Sequence, residues 1–340
     1  MSHEISIETR GAGGWILLHR HGALNALSYS MLQTIHRALD QFEQNDQIHF
    51  VVVDSLNPKA FCAGGDIRAA YDHRHDLSYA KDYFAIEYGL NGRIASYPKP
   101  YISLIDGLCL GGGMGLSCHG KYRIMSDRAQ MAMPETAIGF FPDVGAGYFL
   151  NRCPGFLGRY LGLTGARAHA DDALFLKLAT HGIEHQHFEP LRIFLSQLNG
   201  PHTTHKLNEW LIAHIKSIGA GPIENHAVLL NVIFSQALIE DIEVALKPQN
   251  GDPFIKHTLE QLTRSSPTSL KITLAYLDKC RGLSLNEVLQ LDTHLAFAHC
   301  IKEEFYEGIR AMVVDKDKSP AWRPSTLSEV TDAHVKSYFP

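Results

Sequence analysis

The sequence predicts an α/β layer fold that gives way to a mostly helical second half. Three observations carry this. Short β-branched runs alternate with helical periodicity up to about residue 150. Two Gly-rich segments each follow a predicted strand. Beyond residue 150 most segments repeat their apolar residues at helical spacing.

The elements follow in order. "EISIET" and "GWILLHR" alternate and flank "GAGG", which predicts a hairpin of two strands. "ALSYSMLQTIHRALDQFEQN" has helical periodicity, and Ser28 is placed to cap it. "HFVVVDS" is a buried strand. "LSYAKDYFAIEYGLNGRIASY" is a second helix, stopped by Pro98 and Pro100. "YISLIDG" and "KYRIMSD" are further strands. After residue 150, "GFLGRYLGLTG", "ADDALFLKLA", "LNEWLIAHIKSI", "HAVLLNVIFSQALIEDIEVALK", "SLKITLAYLDKC", "SLNEVLQLDTHLAFAHC" and "EEFYEGIRAMVV" all read as helix. "LKPQNGDPF" is a turn-rich break near residue 250. No internal repeat and no low-complexity tract is visible.

Composition narrows the function. The chain has 340 residues, 45% apolar and 20% charged, with net charge −5. It lacks the clustered basic surface that binds nucleic acid. The dense charge runs "YDHRHD" and "VDKDKSP" mix signs and read as solvated loops. No apolar stretch reaches the roughly 18–20 residues that span a bilayer, so no membrane partner is expected. The start reads as strand and turn rather than as a presequence, which makes the cytoplasm the default expectation. Six cysteines, Cys62, Cys109, Cys118, Cys153, Cys280 and Cys300, form no CxxC pair and read as reduced thiols. The histidine cluster in "THGIEHQHF" has no matching Cys or carboxylate cluster, so no metal is expected.

Chemistry concentrates in three segments. "AFCAGGDIRAAY" and "GLCLGGGMGLSCHG" are Gly-rich turns after strands, the second with the triplet Gly111, Gly112 and Gly113. Glycine lets the backbone approach a ligand closely, and the N–H groups at a helix start lack intrahelical partners. Two such turns could aim two N–H groups at one oxygen, as an oxyanion hole does; the alternative is tight packing of helix on sheet. No GK[ST] follows, which excludes a P-loop. The third segment, "AMPETAIGFFPDVGAGYF", holds Glu135 and Asp143 among apolar, aromatic, Gly and Pro residues. Desolvation raises a carboxylate's pKa, which suits a general base or a water-shielded nucleophile. Either acid could instead cap a helix or a turn.

These segments resemble the signature stretches of the crotonase (enoyl-CoA hydratase/isomerase) superfamily. "ALNAL" at 23–27 is similar to its early CoA-contacting segment. "SSPTSLKITL", "FYEGIRAMVVDKDKSPAWRP" and "LSEVT" resemble the branch that hydrolyses 3-hydroxyisobutyryl-CoA in valine breakdown. The resemblance covers nearly the whole chain and is weakest over 190–255. It implies a spiral of ββα units over 1–200 bearing a CoA-ester site. It also implies a helical region over 201–340 that mediates homo-oligomers (trimer or dimer) or covers the site. It implies that Gly65 and Gly112 donate the oxyanion-hole N–H groups, and that Glu135 and Asp143 are catalytic. It implies further that Glu87 contacts substrate and that Ala23, Leu24, Ala63 and Ile67 line the CoA channel. No separate cofactor is implied, since coenzyme A is part of the substrate. Hydratases of the superfamily carry a second Glu where this chain has Gly115, which implies poor hydratase activity.

Overall fold

The computed structural model describes residues 4–200, 202–215, 219–249 and 251–340. The chain divides into two compact units, each assembled from separated stretches.

The first unit comprises residues 1–65, 89–131 and 168–221. Its strands are β1 (Ile5–Arg10), β2 (Gly13–Leu18), β3 (Phe50–Ser55), β4 (Ala60–Cys62), β5 (Tyr101–Ile105), β6 (Leu108–Leu110), β7 (Tyr122–Ser126), β8 (Gln130–Ala132, ending at the unit's edge), β9 (Ala168–His169) and β10 (His181–Ile183). Among the described residues they form a six-stranded sheet, β1-β2-β3-β5-β7-β10, and a four-stranded one, β4-β6-β8-β9. The expected hairpin is present, with Ile7 opposite Ile16. From β2 onward the large sheet is parallel. Strands β2, β3 and β5 are buried along their whole length, as a parallel sheet covered on both faces requires. One face packs Trp15, Leu17, Phe50, Val52, Ile102 and Leu104 against Phe188, Leu191, Leu195, Leu207 and Leu211 of two covering helices. Helix Tyr29–Gln44 buries Met31, Leu32, Ile35, Leu39 and Phe42. Ser28 caps it as expected, accepting from the Met31 N–H. The Phe42 ring lies where a side chain at Gly14 would be, at 2.5 Å from a built Cβ, so β2 needs glycine there.

A recurring geometry appears that the sequence does not announce. The pairs β3/β4, β5/β6 and β7/β8 each send a long strand to the large sheet and a three-residue strand to the small one. Short helices follow the first two pairs, at Ile67–Asp72 and Gly112–Cys118. These are the stacked ββα units that the superfamily resemblance implies. The short strands escape sequence reading because three residues cannot display a period of two. β9 and β10 are missed in the predicted helical half for the same reason.

The second unit comprises residues 66–88, 132–167 and 222–340. Its described elements are helices, apart from the edge of β8. Its core is aromatic: Phe140 packs on Phe84, Phe141 and Phe305, and Phe141 packs on Tyr276. The stretch "HAVLLNVIFSQALIEDIEVALK" is two helices, Ala227–Phe234 and Ile239–Leu246, rather than one. The buried Arg159 guanidinium donates to the carbonyls of Phe234 and Gln236, which stabilises the break. Two expected features run partly outside the described residues, at Lys216–Ile218 and at Asn250.

Candidate active site

The first unit brings the two glycine turns together. A Cβ built on Gly64 would lie 3.9 Å from the Gly112 nitrogen and 3.5 Å from the Leu110 carbonyl oxygen. Gly64 has φ +117° and Gly111 has φ +47°, both costly for a side-chain-bearing residue. Gly113 packs hard on β4: its Cβ would meet the Cys62 carbonyl oxygen at 2.4 Å. Gly112 is the first residue of helix Gly112–Cys118, so its N–H has no intrahelical acceptor. Neither the Gly65 nor the Gly112 N–H donates to a described residue.

The turn containing Ala23 and Leu24 is tied to the same place. The Ala63 N–H donates to the Leu24 carbonyl at 3.0 Å, and the Leu27 N–H to the Gly64 carbonyl at 2.8 Å. Ala23, Leu24 and Ala63 are half-buried. Sequence reading passed over Asn25. Its side chain is fully buried and donates to Ser55 Oγ at 2.7 Å and to the Phe61 carbonyl at 3.0 Å. Its φ of +60° is a conformation that Asn tolerates better than most residues.

The second unit brings the acids together. Glu87, Glu135 and Asp143 are 3%, 7% and 6% exposed. Oε1 of Glu87 and Oε2 of Glu135 are buried with no hydrogen-bond partner among the described residues. Such groups are rare, because an unpaired buried polar atom is costly. Burial pushes the Glu135 carboxyl well above its usual range, and the nearby Asp143 and Glu87 push it further. Burial does the same to Glu87, again with help from Asp143. Asp143 is raised to about 7 by burial, against the Tyr88 hydroxyl, which donates to its Oδ2 at 2.7 Å. Neither carboxylate caps a helix: Glu135 opens the short helix Glu135–Ile138, whose cap residue is Pro134, and Asp143 precedes a helix capped by Gly145. Ile67 is half-buried, on helix Ile67–Asp72. Tyr88 is the further residue here that sequence reading missed; its adjacency to Glu87 was the available signal.

The histidine cluster is dispersed in its contacts. His181 lies on β10, His185 Nδ1 faces Asp106 at 3.1 Å, and the His187 ring meets that of His214. Among the described residues no group of three His, Cys, Asp or Glu could hold a metal ion.

Known proteins resemble this chain in sequence and in fold. The chain is 40% identical over 341 residues to a protein of Gallus gallus named "3-hydroxyisobutyryl-CoA hydrolase, mitochondrial". It is 41% identical over 342 residues to one of the same name from Xenopus tropicalis. Each match covers 99% of this chain and 88% of the relative. A crystal structure titled as a carnitinyl-CoA dehydratase from Mycobacterium thermoresistibile superposes with TM-score 0.92 at 32% identity, covering 100% of this chain and 97% of that one. The family model described as enoyl-CoA hydratase/isomerase spans residues 13–339, which takes in both glycine turns and every acid described above. With strands β2 to β10, glycine turns and acids all inside that match, the chain belongs to the enoyl-CoA hydratase/isomerase family.

Proposed function

We propose that this protein hydrolyses the thioester of 3-hydroxyisobutyryl-CoA to 3-hydroxyisobutyrate and coenzyme A. The names of its relatives support the substrate. The observation that carries the chemistry is the buried Glu135 carboxylate, one oxygen of which has no partner among the described residues. An acid desolvated in this way is a stronger base and nucleophile than one in water.

In this reading the Gly65 and Gly112 N–H groups take the thioester carbonyl oxygen and stabilise its developing charge. Glu135 adds to the acyl carbon to give a mixed anhydride, or it draws a proton from a water that adds there. Either way the C–S bond breaks and the departing thiolate takes a proton; water then opens the anhydride at one of its two carbonyls, or has already added to the acyl carbon directly, and the free acid leaves. Asp143 accepts the substrate's 3-hydroxyl, and Glu87 contacts the acyl group. Ala23, Leu24, Ala63 and Ile67 line the pantetheine path. One turnover in ¹⁸O-water separates the routes: label in Glu135 requires an anhydride opened at its glutamyl carbonyl.

A second reading, hydration of a C=C bond, is favoured by the dehydratase title of the structural neighbour. Gly115 counts against it, since it brings no second carboxylate to helix Gly112–Cys118. Thiol release from 3-hydroxyisobutyryl-CoA, 3-hydroxypropionyl-CoA, isobutyryl-CoA and crotonyl-CoA decides. Fast release from the hydroxylated esters, lost in Glu135→Ala, is the expected result. Loss of crotonyl-CoA absorbance without thiol release would establish the hydratase. Among the described residues no helix is long and apolar enough to cross a membrane. The cytoplasmic address belongs to this proposal, and the relatives' names say mitochondrial; cell fractionation tests it.

A further inference from the structure

The loop that carries both acids is held by groups far along the chain. The Gly145 N–H donates to Asp292 Oδ2 at 2.7 Å. The Tyr276 hydroxyl donates to Asp292 Oδ1 at 2.5 Å and accepts from the Gly147 N–H at 2.9 Å. Asp292 and Tyr276 are wholly buried. They sit on helices Leu285–Ile301 and Pro267–Lys279. The backbone they hold is strained: Val144, next to Asp143, has φ +50°, and a β-branched residue adopts that region only when its surroundings impose it. Other ties act on the same loop. The His299 ring bonds the Gly139 carbonyl at 3.1 Å, and the Ser266 N–H donates to the Thr136 carbonyl at 2.9 Å.

We propose that Asp292 and Tyr276 are positioning residues: they clamp the Val144–Gly145 turn and so aim Asp143 at the substrate hydroxyl. The clamp rests on the hydrolase reading for what Asp143 recognises, though not for its geometry. It gives the two C-terminal helices a part in substrate selection beyond covering the core. Both Asp292 oxygens are engaged with the clamp, one by the Gly145 N–H and the other by the Tyr276 hydroxyl. Removing either clamp residue loosens the Val144–Gly145 turn and, with it, the hold on the adjoining Asp143.

Asp292→Asn and Tyr276→Phe test this against 3-hydroxyisobutyryl-CoA and isobutyryl-CoA. The expected result is a fall of about 10-fold or more in kcat/KM for the hydroxylated ester, with little change for the plain one. A purely structural role would lower Tm and affect both esters alike, and unchanged selectivity in both variants would overturn the proposal. Hydrogen exchange at the Gly145 and Gly147 amides needs no turnover. It should quicken by about 100-fold in Asp292→Ala. Unchanged exchange overturns the clamp even if the esters are hydrolysed. If the wild-type chain hydrolyses none of the esters, the hydrolase reading fails, and the exchange result alone decides the clamp.

Discussion

The two units offer chemistry of different kinds. The sheet unit offers backbone: two N–H groups at glycine turns that donate to no described residue. The helical unit offers side chains: carboxylates kept in an aromatic interior, some of their oxygens without a partner among the described residues. Backbone donors need only the right φ angles and close approach, which glycine spacing writes directly into sequence. A carboxylate's reactivity depends on what surrounds it, and its neighbours come from three stretches of chain. The first kind is encoded locally; the second is assembled.

Four substitutions probe that contrast. Glu135→Ala removes the acid on which the proposed hydrolysis rests, and turnover should fall by about 10³-fold or more while CoA-ester binding holds. Substantial residual turnover in a thiol-release assay would move catalysis away from this acid. Gly113→Ala attacks the backbone side. Its Cβ would lie 2.4 Å from the Cys62 carbonyl, so the turn must shift, and the rate should drop by about 10²–10³. A crystal structure of an active Gly113→Ala protein would show that the hole tolerates displacement.

Asp143→Asn sharpens the comparison through pH. Asp143 has a folded pKa of about 7 against an ordinary carboxyl value of 3.8. The folded chain therefore binds this proton more tightly than the unfolded chain does. Stability from this group is full below about pH 4 and is lost as pH rises through about 7. Asn cannot ionise, so the variant should gain on the wild type by a few kcal/mol at pH 8 and hardly at all at pH 4. Denaturant titrations at both pH values check this, and an equal effect at both would mean that Asp143 is not desolvated. Selectivity for hydroxylated esters should fall in the same variant. The smallest effect belongs to Ser28→Ala, remote from either chemistry. Losing the cap on the Met31 N–H should cost about 1 kcal/mol of stability and leave kcat unchanged.

The sequence by itself determined the hairpin, the β-branched core strands and the cap at Ser28. It also determined where glycine must stand and which two acids lie in apolar company. These are local properties: side-chain period, backbone freedom and the polarity of near neighbours. Only the tertiary structure decided the three-residue strands, which have no period to read. It also decided the split of the 226–247 stretch, since Arg159 lies 75 and 77 residues from the carbonyls it holds. And it decided the environment of the acids. Tyr88 reaches Asp143 across 55 positions and Asp292 reaches Gly145 across 147. No window of sequence contains both partners, and the low dielectric that raises these carboxyls exists only once the distant helices have excluded water.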